Sequence, residues 1–203
     1  MTNRNERYSI RKYDSIANKY DKSRDGKYTA KFRRIILDMC DVKNGDKVLD
    51  VGCGNGSLLN EINRKTRIKG FGVDISPNMV EICRQRYTNF NFKIASGEEM
   101  QFDNSSFDMI ITCCALHHMY NPINFINEAH RILKKGGVLI VGEPLFPPGI
   151  RHFFDAAIAP LLQAGDNKLF SHKQLIMLFT ENGFTISRIY KQGFKQIIAA
   201  AKD

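Results

Sequence analysis

The stretch with the strongest chemical signature is residues 47–56, Lys-Val-Leu-Asp-Val-Gly-Cys-Gly-Asn-Gly. Its first half is an apolar run typical of a buried strand, and its second half carries Gly52, Gly54 and Gly56. Glycines at alternate positions let the backbone turn sharply and lie against a ligand, where a Cβ atom would collide. A helix predicted over residues 58–65 follows at once, so its first amide N–H groups would face that ligand. The pattern indicates a site for a nucleotide-like ligand.

Two features separate this loop from a dinucleotide-binding turn. The dinucleotide fingerprint requires a glycine at position 57, where this chain has Ser57. Asp50 lies two residues before the first glycine, and its negative charge would repel a pyrophosphate but attract an ammonium group. A ligand with a base, a ribose and a cationic amino-acid tail fits, and S-adenosylmethionine (SAM) is such a ligand. This motif resembles the first motif of the class I SAM-dependent methyltransferases, an acidic residue followed by alternating glycines. The resemblance implies a SAM site that includes Cys53 within the loop.

A second strand, predicted over residues 69–73, ends at an acidic residue that suits ribose recognition. Asp74 lies 24 residues after Asp50, about the spacing at which a βαβ unit places a carboxylate on ribose hydroxyls. The alternative for Asp74 is a loop carboxylate or a helix cap. Ile75 is expected to pack on one face of the adenine. Met79, in a helix predicted over residues 78–86, is assigned to the cofactor site, with core packing as its alternative.

The resemblance to the methyltransferases continues through residues 10–145. Residues 95–111 match the family's acidic loop followed by its fourth strand, and Ala-Leu-His-His-Met at 115–119 comes next. In many relatives the loop after the third strand opens with an aspartate that hydrogen-bonds the adenine amino group, where this chain has a serine. The resemblance implies that the remaining cofactor contacts come from this loop and from the end of the fourth strand, namely Ser96, Gly97, Glu98 and Cys113.

Residues 13–21, Tyr-Asp-Ser-Ile-Ala-Asn-Lys-Tyr-Asp, are similar to an N-terminal segment of the quinone-biosynthesis C-methyltransferases. In that group the segment folds over the methionine end of SAM, which implies that Tyr20 contacts the SAM carboxylate. The alternative is a purely apolar helix face, because Tyr13, Ala17 and Tyr20 recur at spacings of three and four. We expect residues 1–40 to form a helical lid.

Two adjacent histidines follow the fourth strand, at the mouth of the predicted site. Methyl transfer is an in-line displacement, so a base is needed only where the acceptor must lose a proton. His118 is the preferred candidate for that base and His117 the second, with Glu143 and His152 as outsiders. The alternative is a structural histidine that caps a helix. We predict no metal site, and the five scattered cysteines contain no Cys-x-x-Cys pair.

A second segment beyond the cofactor core, residues 144–168, is predicted to be a lid insertion after strand five. Apolar residues recur at helical spacing from 150 to 162. This stripe fits an apolar or aromatic substrate, a dimer interface or ordinary core. We therefore expect a small-molecule acceptor, apolar or aromatic, and a monomer or homodimer.

The net charge and the motifs of the chain limit the alternative functions. The 203-residue chain carries a net charge of +9, of which +7 falls within residues 1–34. A basic arm can guide nucleic acid, yet the Asn/Asp-Pro-Pro-Tyr/Phe motif of amino-methylating nucleic-acid enzymes is missing after strand four. A nucleic-acid methyltransferase and a non-catalytic SAM-binding subunit remain the alternatives, and a nucleic-acid partner is disfavoured.

The order of elements predicts one α/β domain over residues 1–203. Strands are expected near 47–51, 69–73, 91–95, 107–112, 138–142, 184–190 and 194–200. Their alternation with helices indicates a doubly wound, seven-stranded, mainly parallel sheet with an antiparallel last strand, the Rossmann-like methyltransferase fold. No run of 18 apolar residues and no signal-peptide pattern occurs, so we expect no membrane span and a cytoplasmic location.

Overall fold

The computed structural model of the protein describes residues 4–147, 149 and 169–203. In this part of the chain, one sheet is covered by helices on both faces. The helices are α1 (Arg4–Ile16), α2 (Arg24–Met39), α3 (Ser57–Lys65), α4 (Pro77–Arg86), α5 (Pro122–Ile132) and α6 (His172–Thr180), with 3-10 helices at Ala17–Lys22 and Leu116–His118. The strands are β1 (Lys47–Val51), β2 (Lys69–Asp74), β3 (Asn91–Ile94), β4 (Phe107–Cys113), β5 (Leu133–Pro144), β6 (Phe184–Gln192) and β7 (Lys195–Lys202).

The sheet has seven strands in the order β3-β2-β1-β4-β5-β7-β6. The neighbours from β3 to β5 are parallel, and β7 runs antiparallel to both β5 and β6. The predicted fold class and the terminal hairpin are therefore confirmed. Val51 pairs with Val73 on one side and Thr112 on the other, so the loops after β1, β2 and β4 leave the sheet at one level. The chain order reverses between β1 and β4, where open α/β sheets bind their ligands.

Strand β5 is longer than the predicted 138–142. Its first residue, Leu133, is fully buried and pairs with Phe107, and the register then shifts before Met109 pairs with Val138. The intervening residues include Gly136 at φ +72°, so the strand bulges here. The bulge explains why the predicted strand is too short, because polar and glycine residues interrupt the apolar run.

Two hydrophobic clusters hold the helices against opposite faces of the sheet. On one face Phe32 of α2, Leu59 of α3 and Val80 of α4 belong to a single buried cluster. On the other face Phe125 of α5 and Phe179 of α6 pack with the alternate residues of the strands. Because neighbouring strand residues point to opposite faces, each central strand contributes to both clusters. Both faces are thus occupied by core, which leaves the carboxyl edge of the strands for a site.

Helix α1 lies over this carboxyl edge and is anchored through Asp14. The Asp14 Oδ1 atom accepts hydrogen bonds from Ser76 Oγ at 2.5 Å and Asn78 N at 3.1 Å. Both donors lie at the start of α4, where a carboxylate also interacts favourably with the helix dipole. The neighbouring residue Tyr13 is thereby held at the edge of the sheet.

The predicted insertion at 144–168 falls mostly outside the described residues, and with it His152 and the apolar stripe from 150 to 162. In the described part of the chain, none of the helices has the length and apolar character that crossing a membrane requires. A helical N-terminus is present, as predicted, and its role as a lid stays a prediction.

Candidate functional site

A cleft of about 700 Å³ opens at the carboxyl ends of the central strands, between the glycine loop and α1. The sequence-predicted residues that line it are Tyr20, Gly52, Gly54, Asp74, Ile75, Met79, Ser96, Gly97, Glu98, Cys113 and His118. Segments far apart in the sequence therefore meet in one cleft.

The glycine loop is fixed to β2 by its own backbone. The amides of Gly52 and Cys53 both donate to the carbonyl of Val73, at 2.8 and 3.1 Å. Gly52 has φ +72°, and a Cβ atom built on it would overlap the Cβ of Ala115. Glycine is needed here for the backbone conformation and for the close approach of the loop after β4.

Two members of the predicted loop site face away from the cleft. Gly56 begins α3, and a Cβ on it would lie 3.0 Å from the Tyr87 ring, so its position serves helix packing. Cys53 is buried, and a hydrogen bond with Cys83 together with burial raises the pKa of its thiol. Gly56 therefore packs within the fold, whereas Cys53 lines a smaller cavity next to the cleft.

Asp74 binds the backbone of two loops and also lines the cleft. Its Oδ2 accepts from Gly54 N at 2.8 Å and its Oδ1 accepts from Ser76 N at 2.9 Å, so the carboxylate ties the glycine loop to the start of α4. Burial raises the pKa of Asp74, and these two backbone hydrogen bonds oppose the rise. A carboxylate oxygen can accept more than one hydrogen bond, so both oxygens can still receive hydroxyl donors from the cleft.

A smaller cavity of about 310 Å³ adjoins the cleft and contains opposite charges. We call it the charged pocket; it is lined by Asp50, Arg33 and Asn55, and it shares Gly52 and Gly54 with the cleft. The carboxylate of Asp50 is 2% exposed, and its Oδ1 has no hydrogen-bond partner among the described residues.

Burial raises the pKa of Asp50 from 3.8 to about 7. The nearby charge of Asp74 adds to the rise, and Arg33 opposes it. A buried carboxyl group without a partner is costly to ionise. The pocket therefore suits a ligand that brings its own cation to Asp50.

The sequence motifs did not identify Arg33 as a site residue, because it appeared only as part of the basic N-terminal segment. Its Nε lies 3.4 Å from Glu61 Oε1, and the side chain is 14% exposed. Arg33 lies on the buried stripe of α2 formed by Thr29, Phe32 and Ile36. An arginine within an apolar helix stripe is the sequence signal that could have revealed it.

The loop predicted to recognise adenine is ordered by its own side chains. Glu98 accepts from Tyr120 N at 2.7 Å and Asn121 N at 3.0 Å, and Ser96 Oγ accepts from Glu98 N at 3.2 Å. A Cβ on Gly97 would lie only 2.7 Å from Val51 Cγ1, so this glycine allows close packing on β1. The three residues line the cleft and also hold its wall in shape.

The two histidines have different surroundings. Glu143 is fully buried; its Oε2 lies 2.7 Å from His117 Nδ1, and its Oε1 accepts from Leu116 N at 3.0 Å. His117 does not line the cleft, and its ring contacts that of His118 with 4.1 Å between the centroids and 43° between the planes. His118 lines the cleft, and its Nε2 lies 2.9 Å from the hydroxyl of Tyr13.

The described residues contain no group of three or more His, Cys, Asp or Glu side chains that could hold a metal ion. Asp50, Asp74 and Glu98 are instead held apart by the glycine loop and by separate backbone hydrogen bonds. The chemistry that the site offers is recognition of a nucleoside with a charged tail, next to a histidine.

Comparison with known proteins assigns the family. A family model described as a methyltransferase domain matches residues 42–198, and the chain belongs to this methyltransferase family. One relative, a demethylmenaquinone methyltransferase of Tropheryma whipplei (strain Twist), is 35% identical over 141 residues. The aligned region covers 66% of this chain and 58% of that relative. The chain therefore spans little more than half the length of this relative.

Solved structures show the same fold. A chain from the complex between the Haloferax volcanii Trm112 methyltransferase activator and a methyltransferase superposes with a TM-score of 0.75 at 19% identity. That match covers 99% of this chain and 98% of the other. Geranyl diphosphate methyltransferase in complex with SAM gives a TM-score of 0.74 at 15% identity, covering 86% of this chain and 85% of that one. At these identities the likeness concerns the fold alone.

Proposed function

We propose that the protein is a SAM-dependent methyltransferase that acts on a small-molecule acceptor. The observation that carries the proposal is the charged pocket beside the cleft. A buried carboxylate whose Oδ1 has no hydrogen-bond partner among the described residues shares one small cavity with a guanidinium, and the two match the ammonium and carboxylate of an amino acid. The adjoining cleft presents Asp74 and Ile75, which suit the ribose and the base of a nucleoside. SAM joins an amino-acid tail and a nucleoside in one molecule.

Each part of the ligand then has named receptors. Asp50 receives the ammonium group, and Arg33 receives the carboxylate, with the ring of Tyr20 beside them. Asp74 accepts from the two ribose hydroxyls while it keeps its bonds to the loop backbone. Ile75 and the loop at 96–98 enclose the adenine. Asp50 would be ionised in the complex, because a cation at the carboxylate lowers its pKa.

When bound, SAM supplies a methyl group made electrophilic by its positively charged sulfur. The chain contributes orientation and exclusion of water, since Tyr13 and Tyr20 of the N-terminal segment line the cleft and pack with Met79 of α4. His118 accepts a proton from the acceptor where one must be lost, and Tyr13 holds the imidazole at its Nε2. Glu143 fixes the neighbouring His117, whose ring contacts that of His118.

The printed names of similar proteins support a small-molecule acceptor. The Tropheryma relative is named for demethylmenaquinone, and the superposed structure is named for geranyl diphosphate. Both compounds are metabolites rather than macromolecules. The proposal does not require the same acceptor, because the motifs that resemble the family surround the proposed cofactor site and do not define the acceptor.

Isothermal calorimetry with SAM and S-adenosylhomocysteine tests the proposal directly. We expect wild-type protein to bind both compounds and Asp50→Asn to bind them about 100-fold more weakly, since a charge-paired ammonium contact is lost. Asp41→Asn, at an exposed loop position, is the matched control and should bind like wild type. Affinity for NAD or a flavin without affinity for either adenosyl compound would contradict the proposal. Conversion of SAM to S-adenosylhomocysteine with an acceptor separates the enzyme from a non-catalytic subunit.

A further inference from the structure

A third cavity, here called the rear chamber, shares the Tyr13–His118 pair with the cleft. It has a volume of about 500 Å³. Its lining includes Lys12, Tyr13, Tyr28, Thr29, His117 and His118. None of the motif residues of the glycine loop takes part in it. The rear chamber is therefore distinct from the cofactor cavities.

The three cavities meet at one side chain. Tyr20 lines the cleft, the charged pocket and the rear chamber. In SAM the sulfur joins the nucleoside to the amino-acid tail, so a molecule that fills the cleft and the charged pocket has its sulfur near Tyr20. The third substituent of that sulfur is the methyl group. Tyr13, Cys114 and His118 line both the cleft and the rear chamber, so the two cavities adjoin near this point.

The backbone at this junction has a conformation that fits a functional position. Cys114 has φ +54°, in the left-handed region that non-glycine residues rarely occupy. Its amide donates to Gly142 O at 2.8 Å, which fixes the turn after β4. Such strain concentrates at functional sites. Burial raises the pKa of the Cys114 thiol, so the cysteine shapes the junction as a neutral group and not as a nucleophilic thiolate.

The lining of the rear chamber selects for rings and hydrogen-bonding groups. Aromatic rings come from Tyr13, Tyr20 and Tyr28, and the two histidines add imidazoles. Its charged groups, Lys12 and Asp25, form an ion pair with Nζ–Oδ2 at 2.7 Å and so cancel each other. An aliphatic chain would cover these polar groups without offering them hydrogen bonds, which costs free energy.

Resting on the proposed SAM-dependent function, we propose that the rear chamber is the methyl-acceptor site. Its acceptor is a compact, uncharged ring compound that carries a hydroxyl group and no aliphatic tail. The hydroxyl proton passes by way of the Tyr13 hydroxyl to Nε2 of His118, and the electron pair of the acceptor forms the bond to the methyl carbon. The electrons of the broken carbon–sulfur bond stay on sulfur, which becomes a neutral thioether. Atoms and charge therefore balance without a further reactant.

The location is tested by a fluorescent reporter, since the chain contains no tryptophan. Tyr28→Trp places an indole in the rear chamber, and Tyr190→Trp places one at a similarly half-buried position on the outer strand β6. With S-adenosylhomocysteine bound, resorcinol and orcinol should quench the Tyr28→Trp signal saturably and leave the Tyr190→Trp signal unchanged. Absence of saturable quenching, or equal quenching of both variants, would overturn the assignment.

The acceptor class is tested by a pair of compounds that differ only in their tail. Wild-type protein with SAM should methylate orcinol at least 10-fold faster than 5-pentadecylresorcinol, as measured by mass spectrometry of the products. Preference for the long-chain compound, or no methylation of the short one, would refute this acceptor class. Calorimetry with SAM on the same samples keeps the two proposals apart. Bound SAM without binding or turnover of the phenols defeats the acceptor inference alone, and loss of SAM binding defeats the proposed function.

Discussion

The proposed cofactor side and the proposed acceptor side of this protein are built in different ways. The cleft and the charged pocket rest largely on the loops that follow β1, β2 and β4, where backbone amides and glycines set the shape. The rear chamber rests on side chains from α1, α2 and the 3-10 helix Leu116–His118. The first region is tied directly to the sheet by backbone hydrogen bonds. The second depends on helices that pack over the sheet edge. We therefore expect substitutions there to weaken SAM binding less than substitutions in the glycine loop do.

The largest effect is expected for a change in the glycine loop. Gly52→Ala forces a left-handed φ on a residue with a Cβ and drives that atom into Ala115. We expect SAM binding to fall more than 100-fold and the free energy of unfolding to drop by about 2–4 kcal/mol. Thermal unfolding and calorimetry measure the two quantities.

Gly45→Ala is the matched control for that variant. Gly45 has φ +89°, but a Cβ there meets nothing within 4 Å, so only backbone strain remains. This variant should lose about 1 kcal/mol and keep its affinity for SAM. If both variants lost binding equally, the close approach of Ala115 to the loop would not matter.

The second effect concerns the pH dependence set by Asp50. Its pKa is raised from 3.8 to about 7, so the folded chain holds a proton that the unfolded chain releases between these values. The free energy of unfolding of the ligand-free protein should therefore fall as pH rises from about 4 to 7, by up to about 4 kcal/mol. Affinity for SAM should rise through the same window, because the ammonium group needs the ionised carboxylate.

Asp50→Asn separates these two consequences. Without a buried charge, the variant should be more stable than wild type at pH 8 in the absence of ligand and should bind SAM more weakly. Urea unfolding at pH 5 and pH 8 provides the comparison. A variant that is equally destabilised at both pH values would show that Asp50 has a structural role unrelated to its charge.

A smaller effect is expected for a substitution of Arg33, the positively charged residue of the charged pocket. Arg33→Gln should weaken binding of S-adenosylhomocysteine about 10-fold, because a guanidinium–carboxylate contact is lost. Binding of methylthioadenosine, which has no amino-acid tail, should not change. Arg34→Gln, at the exposed neighbouring position, is the control. Equal loss for both ligands would place Arg33 outside the recognition of the tail.

The smallest effect on cofactor affinity is expected for a substitution of Tyr13, on the proposed acceptor side. Tyr13→Phe removes the hydroxyl that lies 2.9 Å from His118 Nε2 and keeps the ring. Affinity for SAM should stay within 2-fold of wild type, whereas kcat should fall about 10-fold and the pH profile should shift. An unchanged pH profile would indicate that the pair does not take part in proton transfer.

The sequence predicted the fold and the residues that line the cleft better than it predicted the charged pocket. The spacing of Asp50, Gly52 and Asp74 was informative because a strand, a tight turn and a helix follow one another without interruption. Arg33 was missed because the charged groups around it, Glu61 of α3 and Asp50 of β1, are distant from it in the sequence. The bulge in β5 was missed because the pairing of Leu133 with Phe107 is set across strands rather than along the chain.

The sequence by itself determined the alternation of strands and helices and the residues at the strand ends. Hydrophobic periodicity and the conformational preferences of glycine act over a few residues, so they can be recognised along the sequence. Only the tertiary structure decided that Gly56 faces Tyr87, that Asp14 anchors α1 on α4, and that three cavities meet at Tyr20. These facts depend on how separate elements pack in space, and packing brings together side chains whose distance along the chain carries no signal.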